Sequence, residues 1–62
     1  MDLVEALTCW ESISPQHKIV GEYTEEAYWT YFLKDGVKVG HIKAVSGGIF
    51  WNYPEELMKR VQ

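Results

Sequence analysis

The stretch Tyr28-Trp29-Thr30-Tyr31-Phe32-Leu33-Lys34-Asp35-Gly36-Val37-Lys38-Val39-Gly40-His41-Ile42 decides the fold. Thr24, Glu25 and Glu26 ahead of it resemble a capped helix start, and Lys34 before Asp35-Gly36 resembles a helix end, which would make residues 25–34 helical. Residues 28–32, however, form a block of aromatic and β-branched side chains, and Asp35-Gly36 is a two-residue hairpin signal ahead of Val37-Lys38-Val39. The strand is the favoured reading, and the turn then sets a register. Lys34 lies opposite Val37, Phe32 opposite Val39, Tyr31 opposite Gly40, Thr30 opposite His41 and Trp29 opposite Ile42. A tyrosine ring can cover the backbone that a glycine leaves bare, which suits the Tyr31–Gly40 pair.

Upstream, residues 18–23 (Lys-Ile-Val-Gly-Glu-Tyr) read as a short strand in which Gly21 marks a bulge or a close approach. Downstream, Ser46-Gly47-Gly48 supplies a second turn and Ile49-Phe50-Trp51 a fourth strand; a tight Gly-Gly turn pairs Val45 with Phe50 and Ala44 with Trp51. Residues 2–13 space Leu3, Ala6, Leu7, Trp10 and Ile13 three and four apart, one stripe along a helix. Asp2 caps its first turn with Glu5 three residues on, and Pro15 ends it. Pro54 opens a last helix, with Glu55 and Glu56 at its positive end, Lys59 and Arg60 near its negative end, and Leu57, Met58 and Val61 on its apolar side. The expected fold is α+β in two layers: an N-terminal helix, an antiparallel meander of three to four strands and a short C-terminal helix.

Side chains alternate across a strand, so this register divides the sheet into two faces. One gathers Trp29, Tyr31, Leu33, Ile42, Ala44, Ile49 and Trp51, to be covered by the helix stripe, with Leu57 and Val61 joining it. The other gathers Tyr28, Thr30, Phe32, Val37, Val39, His41, Lys43, Val45 and Phe50, too apolar for an idle solvent-facing surface. Two short helices leave it without cover unless the C-terminal helix packs there as a third layer. An exposed apolar patch of this kind marks an interaction surface. A two-fold copy of the chain, pairing by this face or by strand edges, is its simplest partner.

At 62 residues the chain makes one domain, residues 1–62, with a small core. Three Trp, four Tyr and two Phe compensate for that size. Cys9 is the single cysteine, so no intrachain disulfide forms, and a lone thiol suits a reducing cytoplasm. Cys9, His17 and His41 fall into no structural zinc spacing. The net charge of −3 supplies no broad basic field for duplex DNA or an anionic membrane. No apolar run is long enough to span a bilayer, and Asp2 stands where a signal peptide carries positive charge.

Candidate chemistry is sparse. His41 is of the residue type most often used as a general base and sits mid-strand among Lys38, Lys43 and Thr30, but no nucleophile motif accompanies it, so it reads as a surface or structural histidine. His17, beside Lys18 at a strand start, reads as a solvated loop residue. Cys9 has no cation or helix N-terminus to activate it and reads as a small hydrophobe. Gly36, Gly40, Gly47 and Gly48 lack the order of a phosphate loop and serve turns. The adjacent pairs Glu25-Glu26 and Glu55-Glu56 could mimic phosphates, but read as helix-start and loop charges that keep the domain soluble.

These residues assign no catalytic, cofactor or metal site. The expected function is a small non-enzymatic protein–protein interaction module, a homodimer that also contacts a target protein as an inhibitor or regulator. Its size and acidity are in character with the counter-defence proteins of bacterial viruses, an argument by analogy alone. The alternative is single-stranded nucleic-acid binding, through aromatics interleaved with Lys34, Lys43 and His41, without an RNP-like K-G-F-G-F-V-x-F string.

Overall fold

The computed structural model of the chain describes residues 2–60. Helix α1 (Leu3–Ile13) starts where its sequence signals place it: the Asp2 carboxylate accepts from the Glu5 N–H at 2.8 Å, and Ser14 closes the other end ahead of Pro15. Four strands follow, β1 (His17–Tyr23), β2 (Tyr28–Lys34), β3 (Val37–Val45) and β4 (Gly48–Asn52), then a single turn of helix, α2 (Glu55–Met58). The strands form one antiparallel meander in the order β1-β2-β3-β4. Val61, expected on the apolar side of α2, lies outside the described residues.

Residues 28–34 are strand. The Thr24 cap signal is nonetheless genuine: its hydroxyl oxygen accepts from the Ala27 N–H at 3.1 Å, as an N-cap would. The Thr24 N–H also donates to the Ala27 carbonyl, so the cap closes a β1–β2 turn and the aromatic block runs on extended. Asp35 and Gly36 both take positive φ, 54° and 81°, the backbone of the two-residue hairpin turn whose twist matches the strands.

Both helices cover the same sheet face, giving two layers. Ala6 and Trp10 of α1 and Leu57 of α2 form the buried core with Phe32 and Ile42. Leu3, Leu7, Ile13, Ile19 and Tyr53 pack around it. The Trp10 indole N–H is shared between the carbonyls of Lys18 and Leu33, 3.1 Å each, which pins α1 across a β1–β2 pair.

The register of β2 on β3 differs from expectation, and the difference exchanges the faces. Lys34 pairs with Val37 and Leu33 with Lys38, but Phe32 pairs with Gly40, Tyr31 with His41, Thr30 with Ile42 and Trp29 with Lys43. Val39 is a bulge. Beyond it, Tyr28, Thr30 and Phe32 share the helix-covered face with Ile42 and Ala44, while Trp29, Tyr31 and Leu33 share the open face with His41 and Lys43. The energetics favour the bulge. It forfeits about one ladder hydrogen bond, roughly 1 kcal/mol. It is what lets Phe32 and Ile42 share the covered face: with Phe32 held in the core, the unbroken register would turn Ile42 away and His41 and Lys43 toward α1, at a cost of several kcal/mol for an unpaired buried cation.

Gly40 fixes where the bulge falls. A β-carbon there would lie 2.6 Å from Pro54 Cδ and 2.7 Å from the Asn52 carbonyl oxygen, so only glycine lets the chain leaving β4 cross this close. Gly40→Ala should therefore cost about 1–3 kcal/mol, read as a lower urea midpoint with an unchanged slope. Gly21 is also a close approach, since the Tyr28 hydroxyl lies where its β-carbon would be. The tyrosine-over-glycine contact thus exists, but between Tyr28 and Gly21 rather than Tyr31 and Gly40. At the β3–β4 turn, Val45 pairs with Gly48 and Ala44 with Ile49, so Ser46-Gly47 is the tip and the expected pairing moves by two residues. A shift of two preserves the faces.

Candidate interaction surface

The register lays the open face out as a grid. Lys18, Leu33 and Lys38 form one row across β1, β2 and β3; Val20, Tyr31, His41 and Asn52 form the next, and Glu22, Trp29, Lys43 and Phe50 the third. The Trp29 and Tyr31 rings, two residues apart on central strand β2, lie parallel within 3° at 5.8 Å. His41 tilts against Trp29 at 5.6 Å. Lysine ammonium groups sit over both rings, Lys38 at 4.0 Å from the centre of Tyr31 and Lys43 at 5.1 Å from that of Trp29.

The nine positions expected to form one binding face divide between two. His41, Lys43, Val45 and Phe50 lie on the open face. Phe32 is wholly buried in the core, and Thr30 is half-buried on the same side. Tyr28 remains 38% exposed, its ring against Tyr23. Val37 flanks the hairpin turn, and Val39, at the bulge, lines a cleft beside Trp10 and Pro54. Trp29, Tyr31 and Leu33, expected on the covered face, lie on the open face instead, in rows with Lys18, Val20 and Lys38. The signal for them was Gly40, a mid-strand glycine of the kind that marks a bulge.

The sheet has two edges of different character. On β1, Lys18 and Glu22 are exposed, and such charges discourage another strand from adding. On β4 no residue is charged and every residue is exposed, with Ile49 at 48% and Phe50 and Trp51 at 58% each. Ile49 and Trp51 point to the helix side, where Trp51 stacks on Tyr53 at 6.2 Å; Phe50 points to the open side.

Elsewhere, His17 is not the solvated residue its neighbours suggested; it is 5% exposed, its ring edge-on to Trp10 at 4.5 Å. Its Nδ1 is 2.6 Å from the Ser14 hydroxyl oxygen and its Nε2 3.1 Å from Glu56 Oε1, while Lys34 Nζ is 3.1 Å from Glu56 Oε2. Ser14, His17 and Glu56 stand in the order of a hydrolytic triad, but the chemistry opposes that use. Ser14 caps the C-terminus of α1, where carbonyl oxygens gather and a developing oxyanion would be repelled. The cluster is a clamp: the Ser14 carbonyl accepts from the His17 N–H, the Gln16 carbonyl from the Asp35 N–H, and Glu56 ties α2 to both.

The His17 ring and then the Lys34 ammonium hold the Glu56 carboxyl below the usual carboxylate range. A carboxyl depressed in the folded state adds stability above its unfolded pKa and loses it as pH falls through the lower folded value. Wild type should therefore lose thermal stability into acid more steeply than Glu56→Gln; parallel melting curves against pH would contradict the clamp.

The cleft beside it, about 510 Å³, is lined by Trp10, Val39 and Pro54 with two ion pairs, Lys34–Glu56 and Lys59–Glu55, which leave its charged groups engaged with each other. Cys9 is half-buried against the core. Among the described residues no group of three or more His, Cys, Asp or Glu could hold a metal ion, and no helix is long and apolar enough to cross a membrane. Compared with known proteins, the chain matches no family model, no curated protein and no solved structure.

Proposed function

We propose that this chain is a non-enzymatic protein-interaction module that works by strand pairing along β4, with a second copy of itself as first partner and a regulated target protein as the other. The observation that carries the reading is the contrast between the sheet's edges: β1 carries charges, whereas β4 presents Ile49, Phe50 and Trp51 beside main-chain groups that no other strand meets. An uncovered, uncharged edge is a template for another strand.

Antiparallel pairing of two β4 strands overlaps all five residues when the two-fold axis passes at Phe50. Ile49 then faces Trp51 of the other copy. An axis normal to the sheet keeps both helix layers on one side, so the Ile49 and Trp51 side chains of both copies fill the groove between them. With large rings worth about 150–250 Å², the exposures of these three residues correspond to roughly 300 Å² of side-chain surface per copy. That is below the ~800 Å² per partner of a standard interface and implies a weak, concentration-dependent dimer. Sedimentation velocity up to millimolar protein tests it: the weight-average sedimentation coefficient should climb toward that of a dimer, and a value fixed at that of the monomer would refute self-pairing.

A further inference from the structure

We infer that the open sheet face binds single-stranded nucleic acid, with bases stacked on Trp29 and Tyr31 and phosphates held by Lys18, Lys38 and Lys43. The net charge of −3 hides a segregation. Those three lysines share one face, and none pairs with a carboxylate among the described residues, since the ion pairs there use His17, Lys34 and Lys59. Glu22 is the single acid in the face's rows. The other eight acids are carried by α1 and its cap, the β1–β2 loop, the hairpin turn and α2. The domain is 16 Å thick by its Cα atoms, and charges more than about 10 Å apart are largely screened at ~0.1 M salt, so the acids of the helix layer weaken the lysine field only modestly.

Charge alone would suit an acidic peptide equally; the rings decide between them. Trp29 and Tyr31 occupy successive outward positions of a central strand, about 7 Å apart along it, with their planes parallel. Such a pair offers two π-surfaces in series, which successive unstacked bases can use and carboxylate side chains cannot. Lys38 and Lys43 already lie over these rings, so a stacked base moves the ammonium groups aside toward its own phosphates. No helix covers the face, leaving it open to an extended strand.

Fluorescence anisotropy of a labelled oligothymidylate, titrated with the intact chain at low salt, tests the assignment. Affinity should fall with salt at a log–log slope of about −2, as expected for three phosphate contacts on a single strand. Trp29→Leu should weaken binding by about tenfold or more, and Lys38→Glu with Lys43→Glu should remove it. A deoxyribose-phosphate strand without bases and an oligoglutamate of equal charge should both bind at least about tenfold more weakly. Circular dichroism confirms that each variant is folded; the lysine variants, changed only at the surface, keep the test decisive should Trp29→Leu fail to fold. No binding of oligothymidylate at low salt overturns the proposal. So does equal binding of the base-free strand or the oligoglutamate, and so does indifference to the lysine substitutions.

Discussion

Replacing Trp10 with alanine is expected to unfold most of the population at room temperature. The indole is wholly buried between the two layers, edge-on to Phe32 at 5.7 Å and to His17 at 4.5 Å. Emptying such a site costs about 3–5 kcal/mol in lost transfer energy and residual cavity. A chain of 62 residues commands only roughly 3–9 kcal/mol in all, at ~0.05–0.15 kcal/mol per residue. The change also orphans the carbonyls of Lys18 and Leu33, which share the indole N–H. Trp10→Phe separates the two effects: it keeps most of the volume and loses the donor, for about 1–3 kcal/mol. Far-ultraviolet circular dichroism during urea titration reads both, with a coil-like spectrum for Trp10→Ala and a folded baseline with an earlier midpoint for Trp10→Phe. A cooperative transition for Trp10→Ala near the wild-type midpoint would contradict the central place given to this side chain.

Phe50→Glu is expected to weaken self-association strongly while leaving the monomer folded. Phe50 is more than half exposed in the single chain, so its loss should change monomer stability by no more than about 0.5 kcal/mol. At the two-fold axis the same substitution sets two carboxylates opposite each other and removes an aromatic pair. Together these amount to about 1–3 kcal/mol, a roughly tenfold to hundredfold weaker dimer. Sedimentation velocity should give a monomer at concentrations where wild type associates, with coincident thermal melts at low concentration. Unchanged association would show that the copies meet elsewhere.

Much of this arrangement is legible in local sequence. The three-and-four spacing of Leu3, Ala6, Leu7, Trp10 and Ile13, with Asp2 before it and Pro15 after, specifies α1 and its buried side, because cap, stripe and stop all act within a few residues. Asp35-Gly36 specifies the hairpin, because few other residues accept positive φ at both turn positions. Alternation within β3 separates Ile42 and Ala44 from His41 and Lys43. Alternation within β2 carries no such information: Tyr28, Thr30 and Phe32 are about as apolar as Trp29, Tyr31 and Leu33, so only pairing can orient the strand. That pairing depends on the bulge at Val39, set by the crossing of Asn52 and Pro54 over Gly40, a contact between residues more than ten positions apart. The burial of His17 is equally non-local, since Glu56 and Trp10 create its environment. The composition of the open face, two parallel rings among lysines instead of a mixed apolar patch, follows from that one extra residue.

Disulfide trapping is the most direct measurement of whether β4 is the edge a second copy completes. Residues at a two-fold axis between antiparallel strands have Cα atoms about 4.5–5.5 Å apart, within the span a disulfide bridges. Under mild oxidation Phe50→Cys should give a covalent dimer, while Val20→Cys on β1 and wild type, whose only thiol is Cys9, should remain monomeric. Cross-linking through Val20→Cys, or an equally monomeric Phe50→Cys at concentrations where wild type associates, would contradict pairing along β4.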